Sequence, residues 1–553
     1  MLVPVKSLRD TDPYRSSVTQ DHKAYSYAAP ISGLDLVHPL TQMDPLTTIV
    51  MENAICRAYG VAFRPGWKSW SSLIPGEVRT VMPYNAARGL SSTNSRLFAA
   101  CSDGKIYDVT DQTDEVTVPP VAVTIPNQDI PGEFSWVSFS ETGTNYLVIA
   151  GAGGGVWTYD DVGGWVDRTL LITLTPVAPT IPPTFDFVTA WKGRLWFIRN
   201  NTCEAYYLEV GAIQGAAALF DFGPLFQHGG DLQAMASWTL EDGGHGVDDK
   251  LVVVSSEGDV IIYQGQDPND PLDFQLAGRW YVGRVPYGRR FMDRYGGDLG
   301  ILCQYGFLWL SRLIQQKGVA IDPQALASYR INPKMAVAIR DTVDLPYWEV
   351  RYFAALQAML VNAPVFPGGR EEQFVMNVDT NAWSTFVGIP MLTCEVFRNN
   401  FYFGTDDGRV GQAFAPEVQS DGVATDGTPG KTIEVNCQSA FVAPGDPVRI
   451  KRMTMFNMLF QAESRPNVKA QINVDWNLGG TPGSPGFQQV NTPLWDTAKW
   501  NQARWSGGSQ NTFRGWVGAD VVGYYASLRF TANGIPGTLF TNWTCVAMEG
   551  GLM

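Results

Sequence analysis

Between residues 96 and 414 the sequence repeats one theme: a few apolar residues, a tight polar turn, then apolar residues ending on an aromatic. The clearest copies are RLFAACSDGKIYDV (96–109), KLVVVSSEGDVIIY (250–263) and NFYFGTDDGRVGQAF (400–414). Weaker copies are NYLVIAGAGGGVWTY (145–159), GRLWFIRNNTCEAYYL (193–208) and GILCQYGFLWL (300–310), and a seventh runs from Ala358 to Phe386 with a longer turn. Their first strands are anchored at Leu97, Leu147, Leu195, Leu251, Leu302, Leu360 and Tyr402. Strand pairs that recur about every fifty residues are the pattern of β-propeller blades, in which no single copy can bury its own apolar faces.

Composition agrees with such a chain. Of 553 residues, 45% are apolar and 12% aromatic, with 56 Gly and 35 Pro for turns, while charged residues are only 17%. The last figure is below the roughly 25% of ordinary soluble domains, so much surface is expected to be buried, some of it between subunits. The net charge of −14 argues against a protein that holds nucleic acid by counterion release, which needs a basic footprint. It leaves open a pore whose wall repels phosphate, and equally a surface kept soluble by its charge. Seven cysteines stand singly at 56, 101, 203, 303, 394, 437 and 545, mostly within apolar runs. They read as buried free thiols of a protein folded in a reducing compartment. The opening MLVPVKSLRDTDPYR lacks the apolar core of a signal peptide, and the longest uncharged runs are broken by prolines, so no membrane-spanning segment is expected.

The predicted fold is therefore all-β: a propeller of six or seven blades, a C-terminal β-sandwich-like domain and an extended N-terminal arm. The arm and first strands occupy 1–70, where 28–48 has no helical period and prolines at 30, 39 and 45 suggest an extended arm lying on other surfaces. Within it, Arg64-Pro65-Gly66 suits a type II turn. The propeller occupies 71–415, its hairpin turns marked by Ser102-Asp103-Gly104, Ser256-Glu257-Gly258 and Asp406-Asp407-Gly408. Loop insertions are expected at about 112–133, 169–185 and 312–345, the last in the fifth blade and carrying helical patches near 323–329 and 334–340. The step to the last copy is short, so segment 47–70 is a candidate to complete that blade and close the ring. Residues 416–431 read as a linker, and 432–553 as the sandwich, with partial alternation in VRIKRMTMFNMLFQ (448–461) and NVKAQINVDW (467–476).

Several stretches carry a further likeness. AAPISGLD (28–35) and MENAICRAYGVAFRPGW (51–67), then YWEVRYFAALQAMLVNAPV (347–365) and EEQFVMNVDTNAWSTFVG (371–388), then NNFYFGTDDGRVGQAF (399–414), SDGVATDGTPGKTIEV (420–435) and RIKRMTMFNMLF (449–460) resemble, in this order, the tail hub or nozzle proteins of short-tailed bacteriophages, also called packaged-DNA stabilisation proteins. The middle, 110–345, matches in pattern more than in words. The resemblance implies a virion tail protein assembled in the host cytoplasm as a homo-oligomeric ring, six copies in the family. Its partners would be the portal adaptor and the tail fibres or tailspikes. The ring would retain the packaged genome and then conduct phage DNA through its lumen without sequence-specific binding.

Motifs for chemistry are few. GAGGGVW (151–157) is glycine-rich, but no helix or Lys-Ser/Thr follows it, as a phosphate loop requires. Asp108, Asp111, Asp114 and Glu115, and Asp242, His245, Asp248 and Asp249, offer oxygen ligands for calcium without EF-hand spacing; solvated loop charge is the plainer reading. With four histidines in arms and loops, no Ser-His-Asp set suggests itself. No catalytic residue, metal ligand or cofactor is assigned. The alternative function is a propeller glycosidase acting on host surface polysaccharide, which would need two carboxylates flanking the bond. Two basic groups stand out in a chain of low charge: Arg449, Lys451 and Arg452, with Arg465 nearby, and Arg289 and Arg290, with Arg294. These are candidate subunit-interface residues facing an acidic partner, with a solvated strand edge as the ordinary reading.

Overall fold

A computed structural model describes residues 22–550 apart from 72–73, 87–93, 113–121, 127, 152, 154, 176–183, 240–248, 317–320, 365–369, 425–426, 480–482, 484–487, 491–510 and 534. Seven sheets, each antiparallel through its first three strands, follow one another along the chain and form a β-propeller of seven blades. Each anchor from Leu97 to Tyr402 lies on the second strand of its own blade: Arg96–Cys101, Thr144–Gly151, Arg194–Arg199, Lys250–Ser255, Asp298–Cys303, Ala358–Asn362 and Asn400–Gly404. Second strands are almost continuously apolar because both their faces pack on neighbouring blades. The gap between blades 1 and 2 is filled by Phe98, Ile106 and Leu147, that between 2 and 3 by Val148 and Phe197, and that between 3 and 4 by Trp196 and Leu251.

The anchors are not all equivalent. Leu97, Leu147, Leu195 and Leu251 face the preceding blade, whereas Leu360 and Tyr402 face the following one. Side chains alternate faces along a strand, so an alignment slipped by one residue reverses the face. The predicted hairpin glycines Gly104, Gly258 and Gly408 take φ of +79°, +92° and +80°, the left-handed conformation that glycine alone adopts freely.

Closure of the ring joins distant parts of the chain. Blade 7 is completed by Trp67–Ser71, which pairs antiparallel with Val410–Ala413. Among the described residues blade 5 has three strands, Met292–Tyr295, Asp298–Cys303 and Gly306–Trp309. Helices Leu310–Gln315 and Asn332–Thr342 follow where a fourth strand would lie, and Met335 and Ile339 are buried with that blade's core. Two expected insertions are partly strands: Ala122–Thr124 is the fourth strand of blade 1, and Ile172–Thr175 adds a fifth, parallel strand to blade 3.

The segment read as a linker is docked. Ser420–Val423 runs parallel to Trp67–Ser71 and pairs with Lys431–Thr432. Its low hydrophobicity hid this, because it is held by polar contacts. The buried Arg64 guanidinium, 0% exposed, donates to both oxygens of Asp421 (2.8 and 2.7 Å), to Asn53 Oδ1 (2.8 Å) and to the Val387 carbonyl (2.9 Å). The neighbouring turn also differs from expectation. Gly66 is not in the positive-φ region that a type II turn requires. Glycine is required for another reason: a Cβ there would stand 2.1 Å from the Ser420 carbonyl oxygen.

The C-terminal part is a two-sheet sandwich fused to the propeller. One sheet continues blade 6, running from its outer strand Trp383–Val387 through Thr48–Glu52, Glu434–Ser439 and Ala526–Asn533 to Val468–Val474. The other is built on Lys451–Ala462, Asn511–Gly523 and Leu539–Glu549, and the arm strand His22–Ala28 pairs with its last member. Phe63, Phe460, Phe530 and Phe540 interlock between the sheets with ring centroids 5.0–6.5 Å apart. No helix among the described residues is long and apolar enough to cross a membrane.

Candidate functional site at the propeller axis

The first strands of the blades surround the axis, and two adjacent arginines enter it from the segment before blade 5. Arg289 is held at φ +63°, a costly conformation for a residue with a Cβ. Its guanidinium reaches blades 3 and 4, pairing with Asp186 (3.1 Å) and donating to the Gln233 carbonyl (3.0 Å). Arg290 reaches the other side. It donates to the Arg79 carbonyl (3.1 Å) and Thr80 Oγ1 (2.5 Å) of blade 1, the Phe134 carbonyl of blade 2 (3.1 Å) and Thr393 Oγ1 of blade 7 (2.8 Å). It also lies 3.5 Å from Glu349 Oε2 of blade 6. Two side chains from one blade thus contact all six others. Only arginine, with five fixed donors, can make so many contacts from one position.

A second polar layer joins blades 5, 6 and 7. Arg351 pairs with Glu349 and Glu395 at 3.0 Å each and lies 3.9 Å from Asp293. Glu349 also accepts from the Cys394 amide (3.1 Å), and Asp293 from the Tyr352 amide (2.7 Å). Burial pushes the Glu395 carboxyl up to about 7 against the pull of Arg351. Burial also pulls Arg351 down, but Glu395, Asp293 and Glu349 outweigh it and hold the guanidinium well above its ordinary value.

Beside Arg289 and Arg290 lies a cavity of about 340 Å³, walled also by Arg79, Asp129, Glu133, Asp186, Tyr287 and Tyr347. Burial raises Glu133, countered by Arg290 and Arg79, and raises Asp186, countered by Arg289. Burial moves the Tyr347 phenol up to about 12.

The sequence marked Arg289 and Arg290 as residues facing an acidic partner subunit. Both are instead committed to carboxylates and carbonyls of their own chain. In the sandwich, Lys451 is 1% exposed and donates to the Tyr524 carbonyl (3.3 Å); burial lowers its pKa. Arg449 lies near Asp446 (3.5 Å) and Glu549 (3.9 Å), and Arg452 pairs with Asp520 (2.7 Å), both with half-exposed side chains. These two remain on the surface; Lys451 does not. Of the acidic clusters, Asp108 bonds Thr110, while Asp114, Glu115, Asp242, His245 and Asp248 lie outside the described residues. Among the described residues no group of three or more His, Cys, Asp or Glu is placed to hold a metal. The Arg351 cluster and the Arg64–Asp421 joint escaped the sequence reading. The signal of the Arg351 cluster was charge inside strand-like runs, EVRYF (349–353) and TCEVF (393–397).

No family model matches the chain, and no curated protein sequence matches it. Solved structures do resemble it. The β-propeller domain of Cps50 (Swd1) from Myceliophteria thermophila is 11% identical, covering 63% of this chain and 99% of its own, with a TM-score of 0.35. BamB from Moraxella catarrhalis is 10% identical, with coverage of 66% and 94% and a TM-score of 0.31. BBS1N, solved in complex with ARL6DN, is 13% identical, with coverage of 64% and 98% and a TM-score of 0.41. At such distances the likeness concerns the propeller fold and says nothing of function.

Proposed function

We propose that this chain is a structural wall subunit of a short-tailed bacteriophage tail, a nozzle or hub protein that forms a ring below the portal adaptor. One observation carries the reading. The stretches that resemble that family are scattered from residue 28 to residue 460, yet they fold into one contiguous body: blades 6 and 7, the two shared sheets and the sandwich. A single contiguous body of this kind is what a ring subunit can set against its neighbours. In this reading the DNA lumen runs between copies, since the axis of each propeller is occupied by Arg289 and Arg290. The net charge of −14 keeps passing phosphates from adhering. Native mass spectrometry of the purified chain with the portal and adaptor tests it: a ring of six is expected, and a chain that stays monomeric with them contradicts it.

The glycosidase alternative has one support, the carboxylates of Asp129, Glu133 and Asp186 on one cavity. Release of sugar from host capsule, lost in Glu133→Gln, would favour it; an inactive parent chain would remove it.

A further inference from the structure

The sandwich sheet built on Lys451–Ala462 ends in two open edges. Its strands lie side by side as His22–Ala28, Leu539–Glu549, Lys451–Ala462 and Asn511–Gly523, each antiparallel to the next. Gln488–Val490 covers the far edge only at residues 512–514. One edge is therefore His22–Ala28, and the other is 515–523.

The Ala29 N–H donates to the Thr541 carbonyl (2.9 Å). Successive residues of an antiparallel pair alternate between exchanging hydrogen bonds and facing away. Tyr25 and Tyr27 therefore bond to their partner strand, while Ala24 and Ser26 turn N–H and C=O outward. The same alternation, carried along the row Tyr25, Cys545, Phe456 and Val517, turns Trp516 and Gly518 outward at the far edge. Among the described residues, these outward backbone groups have no hydrogen-bond partner.

The two edges match. Ala24 and Gly518 share one row across the sheet, and Ser26 and Trp516 share another, so the open stretches stand at the same level. They run in opposite directions. A second copy continuing the sheet would thus pair antiparallel without a slip in level, as every neighbour within the sheet does. The charges are of opposite sign: Lys23 is the one cationic residue of 22–28, which has no carboxylate, and Asp520 is the one charged residue of 515–523. The far edge also leaves the sandwich open. A cavity of about 380 Å³ lies there, its wall including Phe456, Ile472, Val517 and Val521. Tyr25 shares a row, and so a face, with Phe456 and Val517, so an incoming His22–Ala28 strand carries its tyrosines over the cavity mouth.

We propose that copies of this chain join head to tail through this sheet, His22–Ala28 of one copy pairing with 515–523 of the next. Open edges are templates for a further strand, and a head-to-tail contact closes into a ring when its rotation permits. The seam rests on the ring reading above and names its contact.

Native mass spectrometry of the full chain with portal and adaptor, and non-reducing electrophoresis after mild oxidation, test it. In a Cys203→Ser background, Tyr25→Cys with Val517→Cys places thiols on a row without hydrogen bonds at the seam, where Cα atoms stand about 4.5 Å apart, within disulfide reach. The double variant is expected to link into covalent oligomers, and neither single variant is. Ala24→Pro removes an outward N–H that has no partner in its own chain, which an edge strand tolerates. It should melt with the parent and assemble at least ten-fold more weakly. A parent chain that stays monomeric overturns the ring reading and the seam together. A parent ring that Ala24→Pro forms equally well, or that leaves the double-cysteine variant unlinked, overturns the seam alone. So does linkage by Tyr25→Cys or Val517→Cys alone, which marks symmetric pairing of like edges.

Discussion

Replacing Arg290 by methionine removes the contact that joins the most blades. The side chain has an exposure of 19% and its partner Glu349 of 2%. Methionine keeps the stem's volume but leaves the Arg79 and Phe134 carbonyls and Thr393 Oγ1 without this donor. Removing one member of a buried ion pair costs about 3–5 kcal/mol. Orphaned acceptors add about 1 kcal/mol each where water cannot reach them. Against this, Glu349 retains Arg351 (3.0 Å) and the Cys394 amide (3.1 Å), so the lower end of the range applies, about 3–4 kcal/mol. At about 2.1 cal/mol/K of unfolding entropy per residue, a propeller of about 345 residues (71–415) shifts its melting temperature by about 1.4 °C per kcal/mol, giving a fall of about 4–6 °C. Differential scanning fluorimetry reads it directly. Arg290→Lys should recover only part, because an ammonium cannot reach blades 1, 2, 6 and 7 together. A fall of less than about 2 °C for Arg290→Met would refute the view that this guanidinium clamps the ring.

Three further outcomes are expected. The Glu395 carboxyl is held near 7 in the fold against about 4.3 in an unfolded chain; its favourable share is complete below the lower value and lost as pH rises through 7. Stability should therefore fall by up to about 3 kcal/mol between pH 4.5 and 8, and chemical denaturation should show Glu395→Gln with a flatter profile and greater stability at pH 8. Arg64→Ala should cost about 3–5 kcal/mol and open 415–431 to limited proteolysis, because Asp421 is then buried without its cation. Of the seven cysteines only Cys203 is not buried, and burial raises its pKa too, so a thiol reagent should modify one sulfur, slowly, before denaturation and all seven after.

Much of the propeller is legible because its second strands are buried on both faces. Runs such as LVVVS and LFAAC announce themselves, and the glycines of their hairpins are fixed by positive φ. The closing strand was foreseeable from the short last step, but its position at Trp67–Ser71 follows from a register that local pattern does not set. The site at the axis was hidden for a different reason. Arg289 and Arg290 look like any exposed basic pair, since sequence shows the charge and not the six blades that converge on it. Residues 420–423 were hidden in turn by their polarity. Asp421 is kept in place by Arg64, more than three hundred residues away, and a pair so distant leaves no local trace.

The account stands most directly on a whole-tail density map from electron cryomicroscopy. It predicts six copies of the chain around a lumen, with the sandwich and blades 6 and 7 at the contacts and every propeller axis closed by Arg289 and Arg290. Absence of the chain from the particle, or DNA density running along a propeller axis, would contradict it.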